Sequence, residues 1–296
     1  EMYQEYFAAC GLKWRYEANP EAIEPLQGQP QWREPLVLLW GLLEQPGTLF
    51  QRIVHAEPAV AAECLASSVE PRVNEQAQIH KRVREVDYAQ ASDEELNKVL
   101  KAIYVLGDGK LLAEHLGQRQ GHGRLKGIGN QIAEAFTGEE LALRATLDAL
   151  KQLGKSANDF SQPLLQPLRK KDLKIPPELQ REAAELWRTW RDTYKFAPIH
   201  LLFLASAFQV QSELAAEIRQ LIETLTLQGQ WEVALQWCEE FGLPLEEFRE
   251  AAAAAVRRLL EQGRSKAALR GIQAFGLAAR YPPEPIIEKL LQQGQW

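Results

Sequence analysis

Apolar positions recur with a helical period along most of the chain. Leu96, Val99, Leu100, Ile103 and Leu106 fall at i, i+3, i+4, i+7 and i+10, which is one apolar stripe of an amphipathic helix. Ser92 opens that stripe as an N-cap, and Glu95 three residues on completes a capping box. Gly107 closes it at the position that tolerates a left-handed backbone. The same period predicts helices over Leu141–Leu153 (ended by Gly154), Pro177–Tyr194, Glu213–Leu227, Trp231–Phe241, Leu245–Leu260 and Pro285–Leu291. No stretch alternates β-branched and polar residues between turn signals, so the chain reads as all-α.

The helices recur as a repeat. Gly229-Gln230-Trp231-Glu232-Val233-Ala234-Leu235 is echoed 34 residues later by Gly263-Arg264-Ser265-Lys266-Ala267-Ala268-Leu269. Phe241-Gly242-Leu243 is echoed at the same offset by Phe275-Gly276-Leu277, and Gly294-Gln295-Trp296 starts a third copy. In this pattern Gly229 and Gly263 end one helix, Trp231 packs at the turn, and Ala234 or Ala268 lets the next helix approach closely. A helix pair of this size cannot bury its apolar face alone, which predicts an α-solenoid of stacked antiparallel pairs. Leu106-Gly107 and Leu153-Gly154, 47 residues apart, suggest a longer, HEAT-like spacing in the first half.

Two segments interrupt the pattern. Gly117–Gln131 holds five glycines with Arg119, Arg124 and Lys126 and no acid, and reads as a loop. Ser161–Pro177 carries four prolines and the basic group Arg169, Lys170, Lys171 and Lys174. The expected organisation is therefore an N-terminal array over 1–160, a Pro-rich basic linker over 161–177, and a C-terminal array over 178–296.

Composition narrows the class. The 296 residues carry 34 Lys+Arg against 40 Asp+Glu, a net −6, so nucleic acid would have to meet a local basic patch rather than the whole surface. The longest apolar run, Ile199–Phe208, is too short to cross a bilayer. Three widely spaced cysteines (Cys10, Cys64, Cys238) argue against a disulfide framework or a cysteine zinc site and fit a reducing cytoplasm.

The 34-residue units resemble tetratricopeptide repeats in their second helix, on Gly229, Trp231, Ala234, Leu235 and Pro244; the first-helix signature of that family is missing. A second resemblance lies at the N-terminus. Gln4-Glu5-Tyr6-Phe7-Ala8-Ala9 is similar to the segment that closes the winged-helix region of NACHT-type (STAND) signalling NTPases. Trp32-Arg33-Glu34 followed by Leu36–Leu43, then Glu57-Pro58 with Ala61, Ala62 and Leu65, resembles the helices that come next in that family. This resemblance implies that the chain is the C-terminal repeat region downstream of an ATPase module.

Candidate chemistry is sparse. Gly107-Asp108-Gly109-Lys110 lacks the upstream Gly and the Ser/Thr of a P-loop, and Gly121–Gly127 misses the dinucleotide-binding spacing. His55, His80, His115, His122 and His200 are scattered, and Cys238 sits at a repeat packing position as a small hydrophobe. Trp187, Trp190 and Tyr194 form an aromatic stripe read first as interhelical packing and second as a partner-facing surface beside Arg188 and Arg191. No catalytic or metal-ligating set and no cofactor is implied. The expected function is non-catalytic recognition of a protein partner, as the sensor or autoinhibitory arm of a cytoplasmic signalling ATPase. A stand-alone adaptor is one alternative. The other is a nucleic-acid-binding repeat using Arg119, Arg124, Lys126 and Arg169–Lys174.

Overall fold

A computed structural model describes residues 2–68, 72–170 and 173–292. Among the described residues there is no strand, and the helices pack against their neighbours in an all-α helical-repeat fold. The chain divides into two compact units, 1–179 and 180–296.

The first unit holds α1 (Met2–Ala18), α2 (Arg33–Leu42), α3 (Gly47–Ala56), α4 (Pro58–Ala66), α5 (Val73–Arg84), α6 (Asp93–Leu106), α7 (Gly109–Gly121), α8 (Ile128–Ala135), α9 (Glu140–Leu153) and α10 (Ala157–Lys170). In α6 the Ser92 hydroxyl accepts from the Glu95 amide at 3.1 Å, as the capping pattern predicts. The other half of the capping box does not form: the Glu95 carboxylate accepts from Arg82 of α5 at 2.6 Å instead of from the Ser92 amide, so it ties two helices together. Leu96, Val99, Leu100 and Ile103 are fully buried, and Gly107 ends the helix at φ +68°.

Residues 161–170, expected as linker, are helix. α10 carries Pro163 and Pro167 in its interior, each of which removes a backbone donor at a cost on the order of 3 kcal/mol in an ordinary helix. Phe160, Leu164, Leu165 and Leu168 line one face and are at most 2% exposed. Burial of that stripe holds the helix through both prolines. The division between units falls after Leu179, in the first turn of α11 (Pro177–Thr189).

The second unit continues with α12 (Pro198–Ala207), α13 (Ala215–Leu227), α14 (Trp231–Glu240), α15 (Arg249–Glu261), α16 (Ser265–Ala274) and α17 (Pro283–Gln292). α11 does not run on to Tyr194 as a regular helix, because Trp190–Tyr194 widens into a π turn closed by Lys195 at φ +55°. The 34-residue period is repeated in the backbone. α14 starts at Trp231 and α16 at Ser265; Gly229 and Gly263 sit at φ +76° and +73°. Each closes the preceding helix by the same pair of bonds: Gly229 N–H to Thr226 O (3.0 Å) with Gln230 N–H to Leu225 O (3.0 Å), and Gly263 N–H to Leu260 O (3.0 Å) with Arg264 N–H to Leu259 O (2.8 Å). Gly242 and Gly276 close α14 and α16 alike, at φ +61° and +63°. The third copy expected from Gly294 lies outside the described residues. α12 ends the same way without a glycine, on Gln209 at φ +55° with Val210 N–H to Ala205 O at 3.0 Å.

Ala234 and Ala268 are fully buried, whereas Leu235 and Leu269 are half-buried. α15 packs on both α13 and α16, and four of its five consecutive alanines, Ala251, Ala252, Ala253 and Ala255, are buried there. Trp231 lies across α16. Its indole N–H donates to Ala267 O at 2.9 Å, and a Cβ on Gly271 would stand 2.6 Å from its Cζ2. Gly109 has a similar role in the first unit, where a Cβ would lie 2.4 Å from Asp148 Cβ and 2.7 Å from Ala145 O of α9. Gly271→Ala and Gly109→Ala should therefore each lower stability by about 1–3 kcal/mol through overpacking. Gly117→Ala, where nothing stands within 4 Å, should raise it by up to ~1 kcal/mol. Urea midpoints of the three variants read the difference.

Candidate functional site

The glycine-rich basic segment is mostly helix. α7 runs to Gly121, so only His122–Gly127 is loop before α8. Gly123, at φ +67°, closes α7 by the same left-handed turn as the C-terminal hairpins, with Arg124 N–H bonded to Arg119 O at 2.8 Å.

Arg119 is not a surface cation. It is fully buried, its Nε donates to Arg124 O at 3.0 Å, and its guanidinium donates to Gln131 Oε1 at 2.6 Å. Burial pushes its pKa down, and Asp93 opposes the shift. Arg124 reaches back across the loop preceding α6. It donates to Tyr88 O (3.3 Å), Ala91 O (3.0 Å) and Asp93 Oδ1 (2.9 Å). That hydrogen bond holds the exposed Asp93 carboxyl below its ordinary range. The expectation of a basic loop with no acid is thus corrected: the acid comes from 31 residues upstream, brought by the α6–α7 turn. Lys126 alone of the three is exposed.

Beside this network an open cleft of about 480 Å³ lies between the end of α5, the 86–88 segment and α7. Val83, Val86 and Leu111 form its apolar part, and Tyr88, His115 and His122 its aromatic part. Tyr88 hydroxyl and His115 Nδ1 are 2.9 Å apart, and His115 is 1% exposed. Burial, helped by the Arg119 charge, drives the His115 pKa down to about 3; burial raises that of Tyr88 to about 12. Both are therefore neutral near pH 7, and the imidazole Nε2 has no hydrogen-bond partner. The contact fixes the imidazole and the Tyr88 ring relative to one another inside the fold. This pair was not legible from sequence, because its members stand 27 residues apart with no local signal.

The other candidate cations divide. Lys174 is exposed and Arg169 half-buried. Lys170 ends α10 with its side chain outside the described residues, and Lys171 lies outside them altogether. Arg188 pairs with Glu213 at 3.1 Å. Arg191 pairs with its neighbour Asp192 at 2.7 Å and sits 5.1 Å over the Trp187 ring. Trp187 and Trp190 are fully buried, and the Trp187 indole N–H donates to Leu201 O at 2.9 Å. The two tryptophans of that stripe are therefore packing residues, whereas Tyr194 is half-buried. The Gly107–Lys110 pattern is also explained by packing: Gly107 supplies the left-handed turn, Gly109 the close approach to α9. Asp108 caps α7, accepting from Leu111 N–H at 2.9 Å while standing 3.2 Å from His80, which leaves a carboxylate where a phosphate would sit.

Cys64 and Cys238 are buried, and burial raises their thiol pKa values to about 12 and about 11. Among the described residues no group of three His, Cys, Asp or Glu could hold a metal ion, and no helix is long and apolar enough to cross a membrane. No protein-family model, no curated protein and no solved structure matches this chain.

A histidine held neutral by burial makes stability pH-dependent. Its folded pKa lies below the unfolded value near 6.5, so the full contribution is present above pH 6.5 and is lost as pH falls toward 3. The slope due to this one group is at most about 1.4 kcal/mol per pH unit. His115→Gln should flatten the urea-midpoint profile over that window.

Proposed function

We propose that the chain is a non-catalytic recognition module, the C-terminal arm of a NACHT-type signalling ATPase, that binds a protein partner. The observation that supports it best is the recurrence of one hairpin closure at a fixed 34-residue offset, on Gly229 and Gly263 and again on Gly242 and Gly276. Repeats of this kind contact their neighbours in sequence and leave their outer helix surfaces free for recognition. The family assignment rests on the Gln4–Ala9 motif and the Trp32-Arg33-Glu34 step. As the arm of an ATPase, the module would act through its differential affinity for two states of the enzyme, since a ligand shifts an equilibrium only by that difference.

The basic segments favour this reading over nucleic-acid binding. Two of the three cations in Gly117–Gln131 are spent on backbone carbonyls and on Asp93. A stand-alone adaptor is the alternative of the same class, and the encoded sequence upstream of Glu1 separates the two: a P-loop there supports the arm, and its lack supports the adaptor.

A gel shift with generic single- and double-stranded nucleic acid should show no complex at about 50 mM salt, where phosphate contacts are strongest. A shift that weakens steeply as salt rises, and that Lys126→Ala with Lys174→Ala removes, would overturn the protein-recognition reading.

A further inference from the structure

The cleft between the end of α5, the 86–88 segment and α7 has an apolar and aromatic floor, on which Val83, Val86, Leu111, Tyr88 and His115 are buried side chains. Its rim is polar, with Arg84, Asp87, Gln118 and His122 exposed. At about 480 Å³ it has the size of a small-molecule site, and such sites likewise combine apolar walls with a few polar groups that set orientation.

Shape, hydrogen bonding and charge restrict what it can hold. The Tyr88 and His122 rings lie 14° from parallel with centroids 6.3 Å apart, so a flat molecule parallel to one is parallel to the other. Arg84 spends Nε on Glu114 Oε2 at 3.0 Å, which leaves its terminal nitrogens as donors. Asp87 Oδ1 accepts from Ala89 N–H at 3.0 Å, which leaves Oδ2 as an acceptor, and the Gln118 amide offers both. The Arg84 and Glu114 charges cancel, and Asp87 at the rim offsets the buried Arg119, whose charge acts on both Tyr88 and His115. Neither sign of ligand charge is therefore favoured. His115 Nε2 is an independent pointer. It is a buried nitrogen with no hydrogen-bond partner, on a ring whose other nitrogen is held by Tyr88. Buried polar atoms are paired in the great majority of cases, so one left unpaired on the floor of a cleft points to a partner that the chain itself does not supply.

We propose that this cleft binds a small, flat, uncharged heteroaromatic molecule with hydrogen-bonding groups on opposite edges. The ring lies along Tyr88 and His122, its outer edge meets Arg84, Asp87 and Gln118, and its inner edge pairs with His115 Nε2 as the side chains over that nitrogen move aside. The site lies in the first unit alone, so it depends neither on the proposed family nor on a protein partner.

Long-range proton–nitrogen NMR of the histidine side chains in the 296-residue chain reads the site directly. Adenine, quinazolinone and indazole serve as uncharged flat probes, and benzoate and benzamidine as flat charged controls, at about pH 8, where free histidine carries no charge. At least one uncharged probe should saturate with a Kd of about 1 mM or below, which about ten ring atoms can supply. It should move the His115 and His122 nitrogens together and leave those of His55, His80 and His200 in place. Both charged controls should bind at least about tenfold more weakly. Asp87→Asn keeps the oxygen that accepts from Ala89 and turns the free acceptor into a donor; His122→Ala removes the outer ring. Both positions are exposed, so circular dichroism should not change while each variant weakens the probe by about fivefold or more. No saturable binding by any uncharged probe, shifts confined to His122, a charged control that binds as well, or two variants that bind like the wild type would overturn the proposal.

Discussion

Two antiparallel helices joined by a short turn cover only part of one another, and the apolar flank left over must be covered by the next pair. This constraint organises both units of the molecule. It explains why α15, flanked by α13 and α16, carries a run of alanines rather than the single stripe of a surface helix. It also explains why the residues that close each helix are so uniform. A neighbour packs in register only if the chain reverses in the same way each time, and the left-handed closure on Gly229, Gly242, Gly263 and Gly276 provides that reversal. Where glycine is missing, at Gln209, the same two hydrogen bonds still form, so geometry is enforced by packing over a locally unfavourable residue.

The periodicity of the sequence was enough for the fold class, for the closure of α6 at Gly107 and for the helix start at Trp231, while α16 is marked in the sequence only by the echo of Gly263–Leu269. These are local features, set by residues within one or two turns of each other. The fate of Ser161–Lys170 was not legible. Two prolines argue against helix locally, and only the burial of Phe160, Leu164, Leu165 and Leu168 against other elements decides otherwise. Gly271 was equally opaque, since its counterpart one repeat earlier is Trp237, and its need appears only when the Trp231 ring is laid over α16.

The basic residues show the same limit in reverse. Arg119 and Arg124 looked like ligand contacts because no acid stands beside them in sequence. In the fold they are structural: Arg119 ties α7 to Gln131, and Arg124 ties the loop before α6 to the end of α7. A guanidinium has five donors in a rigid fork, so it can satisfy several backbone carbonyls at once, which a lysine cannot. The exposed Lys126 is not used in this way. Function on this scaffold is accordingly sought on outer surfaces, where side chains are not consumed by neighbouring pairs.

The most direct test of stacking is deletion of one whole repeat, residues 230–263, which joins Gly229 to Arg264 and leaves the left-handed closure in place. If pairs stack at a 34-residue period, the shortened chain should still unfold cooperatively in urea with helicity per residue unchanged. A deletion of thirty residues from the same point should not. Loss of cooperative unfolding in the 34-residue deletion, or equal behaviour of the two, would contradict a stacked-repeat fold.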